Sequence, residues 1–139
     1  MDVNRLELIM DSFFVVRPRI DEMAELFYAL LFDCAPNLRA AFPAEIGPQA
    51  KKLSSTLSFA IGALSDPAGL TKVLHDLGKD HAQYQISAHD YALVNEVMLL
   101  ALAHICADEW TPDLHTAWSE TLDFIADTMQ EGERRVHVA

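Results

Sequence analysis

The chain has 139 residues, 51% hydrophobic and 22% charged, and its 10 Lys and Arg against 21 Asp and Glu leave a formal charge of −11. That composition excludes disorder and fits one compact domain, residues 1–139, burying roughly two-thirds of its unfolded surface. The charge has the wrong sign for neutralising phosphates or anionic lipid, which argues against nucleic acid and membrane surfaces as targets.

Five glycines and six prolines are few for an all-β chain, and apolar residues recur at helical spacing, so the expected fold is all-α. The first stripe is Leu6, Ile9, Met10 and Phe13; the second, with Pro18 near its start, is Ile20, Met23, Phe27 and Leu31. Ala35 to Phe42, bounded by prolines, predicts one short helix and a corner. A third stripe, Leu53, Leu57, Ile61 and Leu64, follows Pro48, and a fourth, Leu70, Val73, Leu74 and Leu77, follows Asp66-Pro67. Ser87 with Asp90 resembles a capping box ahead of Tyr91, Val94, Met98, Leu102 and Ile105, and Thr111-Pro112 opens Leu114, Trp118, Leu122, Ile125 and Met129. The expectation is about six main helices plus the short one. The longest unbroken apolar run is Val97 to Ala103, far short of the ~20 residues that cross a bilayer. Asp2, Glu7 and Asp11 stand where a secretory signal carries positive charge, so a cytoplasmic location is expected. Cys34 and Cys106 form no CxxC and are expected to be buried thiols in a reducing compartment.

Six histidines prompt a metal search, but HExxH is absent, and His75 and His81 lie about 120° apart around a helix, against a zinc site there. His81 continues the fourth stripe with Tyr84, whereas His75 lies off it among polar neighbours. A histidine on an apolar face is either a hydrogen-bonded core residue or an axial ligand presented into an apolar cavity. As a ligand it gives one ring nitrogen to the metal, and its other N–H needs an oriented acceptor.

Three separated segments resemble the globin family, specifically single-domain bacterial haemoglobins related to the globin part of flavohaemoglobins. Phe27-Tyr28-Ala29-Leu30-Leu31-Phe32, followed by Pro36, Leu38 and Phe42, resembles the second helix, the short third helix and the phenylalanine that packs on the haem. Gln49 with Leu53 and Leu57 resembles the distal helix, at the family's spacing from His81. Ile86, Tyr91, Val94 and Glu96 resemble the next helix start, and Trp118 with Ile125-Ala126-Asp127 the last helix.

The resemblance implies a globin fold around haem b (iron protoporphyrin IX), with His81 as proximal iron ligand and Tyr28 and Gln49 as distal hydrogen-bonding residues. A tyrosine hydroxyl and a glutamine amide suit a diatomic ligand that takes on negative charge. Gln49 is an amide where a histidine could ligate, so the iron is expected to be five-coordinate. Phe42, Leu53, Leu77, Ile86 and Val94 are candidate pocket walls, and Lys52 a candidate partner for a haem propionate. Each has an ordinary alternative: core packing for the walls and Tyr28, a helix-start position for Gln49, and a solvated face for Lys52.

On the proximal side the resemblance implies Tyr91 and a glutamate at Glu133. Gly132 is a common terminator: a last helix ending there would leave Glu133 in water, with Glu131 or nothing in its place, and the ordinary alternative is a frayed acidic tail. The implied function is reversible binding of dioxygen and other diatomic ligands such as nitric oxide. Nitric oxide dioxygenation or weak peroxidase activity would accompany it, with electrons from a separate, basic reductase, because no GxGxxG follows a strand. A haem-based gas sensor and a haem-free helical interaction module are the alternatives, the latter disfavoured by His81.

Overall fold

Local chemistry sets the helix starts. The computed structural model describes residues 3–81 and 87–138, with side chains through residue 134. Its helices are α1 (Val3–Val16), α2 (Ile20–Cys34), α3 (Gly47–Gly62), α4 (Pro67–His81), α5 (Ala88–Cys106) and α6 (Pro112–Val138). A 3-10 turn at Arg17–Arg19 around Pro18 separates α1 from α2, and a longer 3-10 helix, Pro36–Ala41, forms the corner after α2. At α5 the Ser87 hydroxyl accepts from the Asp90 amide and the Asp90 carboxylate accepts from the Ser87 amide, both at 3.1 Å. This reciprocal box satisfies two amides that a helix start leaves without partners. At α6, Thr111 Oγ1 accepts from the Leu114 amide at 3.1 Å, and Pro112 stands where no amide donor is needed.

The stripes meet in one core: Phe13 and Val16 of α1, Met23 and Phe27 of α2, Leu57 and Ile61 of α3, Leu70 and Leu74 of α4, and Trp118 of α6. Trp118 is wholly buried, and its indole N–H donates to Ser12 Oγ at 2.9 Å, which in turn donates to the Ile9 carbonyl at 2.9 Å. A buried indole donor is thereby satisfied across α1 and α6. The stretch Ala88–Glu109 is long and apolar enough, by composition alone, to cross a membrane. Here that composition serves packing: α5 lies against α1, α2 and α6, with Val97, Ala101 and Leu102 buried.

The last helix continues past Gly132 and runs through to Val138. Gly132 is a contact glycine: a Cβ there would lie 2.6 Å from the His75 Cα, and one at Gly78 would lie 2.7 Å from the Met129 carbonyl carbon. Each helix thus presents a glycine to the other's backbone, and α4 packs chiefly on α6 at this crossing. Cys34 is exposed, whereas Cys106 is buried as expected. Cys34 ends α2, where Leu31 and Ala35 take the core-facing positions before the chain turns at Pro36.

This arrangement opens the site. Among the described residues α3 and α4 are not packed closely on one another, since α3 leans chiefly on α2 and α4 on α6. A recess of about 220 Å³ opens between them, lined among others by Thr56, Phe59, Leu74 and Leu77.

Candidate functional site

Tyr28 is buried on α2 within an aromatic cluster. Its ring meets Phe27 and Phe42 edge-on at centroid distances of 5.0 and 5.6 Å and lies 5.9 Å from Phe32, which meets Phe42 at 5.3 Å. Edge-to-face contacts at these separations fix ring orientation as well as burying area. Gln49 stands in the first turn of α3, half-buried, with its side-chain amide close enough to the Tyr28 hydroxyl to act on its ionisation. Burial raises the Tyr28 phenol above its ordinary pKa and the Gln49 amide partly opposes this, so the hydroxyl keeps its proton at neutral pH.

His81 ends α4, half-buried, with Nδ1 2.7 Å from the Leu77 carbonyl oxygen. A carbonyl oxygen only accepts, so this contact places the proton on Nδ1 and the lone pair of the neutral ring on Nε2. Beyond α4, the buried Tyr91 hydroxyl donates to Glu133 Oε2 at 3.3 Å, joining α5 to α6. Burial, then the charge and hydrogen bond of Glu133, push the Tyr91 phenol far above its usual value. Glu133 is buried because α6 continues past Gly132, so the alternative of a carboxylate in water is not the one found. Glu131 does not take its place; its carboxylate lies 3.2 Å from His75 Nε2. His75, off the apolar stripe of α4, lies on the side of that helix that α6 covers.

The candidate wall residues in the described part of the chain are all half-covered, as are other apolar residues at the edge of the core. Leu57, Leu70 and Leu74 are buried, whereas Phe42, Leu53, Leu77 and Val94, also apolar, are only half-covered. These are apolar side chains that the fold leaves partly open. Ile86 lies outside the described residues. Lys52 is exposed, one turn beyond Gln49 on the solvent side of α3. The 220 Å³ recess shares Leu77 with this set but contains none of Tyr28, Gln49 and His81. Among the described residues no group of His, Cys, Asp and Glu is arranged to hold a metal ion by itself.

Two structural residues escaped the pattern reading. Gly78 follows Leu70 and Leu74 at helical spacing on a buried stripe, a signal that another backbone comes close. Arg39 gave no signal, since its partners are backbone carbonyls.

The family model named Globin matches residues 25–129. The chain belongs to the globin family. A flavohemoprotein of Rhodopirellula baltica is 25% identical over 116 residues, covering 81% of this chain and 28% of that protein. One from Bacillus subtilis is 23% identical over 130 residues, 91% of this chain and 33% of its own length. The chain thus spans about a third or less of the curated relatives it matches. Among solved structures, a bacterial globin from Campylobacter jejuni superposes with a TM-score of 0.87 at 16% identity, over 99% of this chain and 100% of that one. An engineered carbene transferase, made from a Rhodothermus marinus protein assigned as a nitric oxide dioxygenase, gives 0.89 at 24% identity, over 99% and 96%. At these identities the two structures establish the fold: the all-α class expected from the helical stripes and the globin architecture implied by the resemblance are the ones found.

Proposed function

We propose that this globin holds haem b on His81 and binds dioxygen reversibly beside Tyr28 and Gln49, with oxidation of nitric oxide to nitrate as its accompanying activity. The observation that carries the reading is His81, whose Nδ1 is tied to the Leu77 carbonyl so that Nε2 bears the lone pair. The residues fit the group: a flat apolar ring system needs apolar walls, and Phe42, Leu53, Leu77 and Val94 are among the apolar side chains left half-covered. Haem b rather than a covalently attached form is favoured because neither cysteine belongs to a CxxCH motif. Exposed Lys52 is suited to pairing with a propionate at the rim. When bound, haem supplies an iron that takes diatomic ligands in its ferrous state.

The chain's own residues then divide the work. Tyr28 supplies a hydroxyl that burial keeps protonated, and Gln49 orients it. Tyr91 and Glu133 place a buried acceptor-donor pair between α5 and α6, suited to tuning the proximal side. Nitric oxide, dioxygen and one electron make nitrate, so turnover consumes an electron. A reductase outside these 139 residues would deliver it, steered if basic by the charge of −11. Free Cys34 and Cys106 fit a cytoplasmic setting.

Stopped-flow dioxygen dissociation tests the distal assignment. Removing the Tyr28 hydroxyl takes away about 1.4 to 2.8 kcal/mol, so Tyr28→Phe should release dioxygen about ten to a hundred times faster, and Gln49→Leu should follow more weakly. Nitrate should form steadily only with an added reductase. Release at the wild-type rate from Tyr28→Phe would show that another donor holds the ligand.

A further inference from the structure

The corner between α2 and α3 carries Phe42, and residues 42–46 there form neither helix nor strand. The Ile46 carbonyl starts the α3 ladder by accepting from the Ala50 amide at 2.8 Å, and three earlier carbonyls in succession are taken up by one side chain. Arg39 Nη1 donates to the Pro43 carbonyl at 2.8 Å and to that of Phe42 at 3.4 Å, and Nη2 donates to the Ala44 carbonyl at 2.7 Å. The same guanidinium lies over the Phe32 ring, 5.1 Å from its centroid, while the Arg39 carbonyl accepts from the Phe42 amide at 3.2 Å. Among the described residues no carboxylate forms an ion pair with Arg39, so its fork of donors is spent on the corner. Phe32 and Phe42 both contact Tyr28.

We propose that Arg39 is the positioning residue of the distal wall: by clasping carbonyls 42 to 44 and stacking on Phe32, it holds Phe42 against Tyr28 and so fixes where the Tyr28 hydroxyl points. The effect on ligand rests on the proposed role of Tyr28; the clasp itself rests only on the contacts above. Lysine is a poor substitute, because its ammonium is a point donor and has no plane to lay over Phe32.

The test uses the purified protein with Arg39→Met, which keeps an apolar stem but no donor, and Arg39→Lys, which keeps the charge. Within residues 42–46, amide hydrogen exchange should quicken at least tenfold at Phe42, whose amide donates to the Arg39 carbonyl, in Arg39→Met, with the interiors of α2 and α5 unchanged, and by less in Arg39→Lys. The carbon monoxide complex should show its C–O stretching band broadened or split, and dioxygen should dissociate several-fold faster. In Arg39→Met with Tyr28→Phe, dissociation should be no faster than in Tyr28→Phe alone, because Arg39 acts through that hydroxyl. Unchanged exchange at Phe42 in both variants overturns the clasp. Faster exchange with an unaltered C–O band and unaltered dissociation reduces Arg39 to a structural residue, and fully additive effects in the double variant also overturn the positioning role. If Arg39→Met does not fold, Arg39→Lys decides by the same readings. Failure of Tyr28→Phe alone to change dissociation would strike the proposed function, and the exchange measurement would still judge the clasp.

Discussion

Gly78→Ala adds a single methyl group where α4 crosses α6. Its Cβ would lie 2.7 Å from the Met129 carbonyl carbon, nearer still to the oxygen, against 3.4 Å for an ordinary contact, so the helices must part by at least 0.7 Å. The obstacle is backbone, which has no rotamer to turn away. Overpacking of this kind costs about 1 to 3 kcal/mol, while alanine's better helix propensity returns up to about 1 kcal/mol. The steric cost prevails, leaving a net loss of about 1 to 2 kcal/mol and a melting temperature about 3 to 7 °C lower for a chain of this length. Gly62→Ala is the matched control: nothing lies within 4 Å of its Cβ, so the same substitution should leave the melting temperature unchanged or raise it. Calorimetry on both variants decides. If Gly78→Ala melts with Gly62→Ala, α4 is not pinned to α6 by this crossing, and the placement of His81 three residues further on needs another explanation.

Tyr91 predicts an alkaline limit. Its phenol is held protonated chiefly by burial and then by Glu133, so the native state keeps a proton that the unfolded chain releases near its ordinary value of 10.0. Stability should therefore be level through neutral pH and fall as pH rises above about 10, and Tyr91→Phe should lessen that fall in urea midpoints measured on either side. Ser12→Ala leaves the wholly buried Trp118 indole N–H without its acceptor and should cost about 1 to 3 kcal/mol in urea unfolding; a loss under about 0.5 kcal/mol would mean that the indole finds a substitute.

What was legible in the sequence is what local chemistry encodes. Ser87 with Asp90, Thr111 with Pro112, and Asp66 with Pro67 each marked a helix start within one residue, because a cap and its amide lie three residues apart. Of the half-covered walls, Leu53, Leu77 and Val94 were visible as apolar stripe residues and Phe42 only through the resemblance, while their openness was not visible, since it depends on how the helices diverge. Gly132 left two readings open because a glycine can end a helix or admit a neighbour, and only the opposing Gly78 and His75 backbone on α4 distinguishes the two. That choice carried Glu133 with it: its bond to Tyr91 spans 42 residues and exists only if α6 continues. Arg39 left no trace in residue pattern, because backbone carbonyls are acceptors whatever side chains they carry. Cys34 was misplaced for a related reason, lying at a helix end where the stripe no longer dictates burial.

The central claim is that His81 holds haem. Wild-type protein and His81→Ala, both supplied with haem and then freed of excess, are compared by haem content and visible spectrum. The account predicts one haem per wild-type chain, five-coordinate and high-spin in the ferrous state without added ligand, and little or none retained by His81→Ala. A colourless wild-type protein, or a His81→Ala variant with undiminished haem, would contradict it.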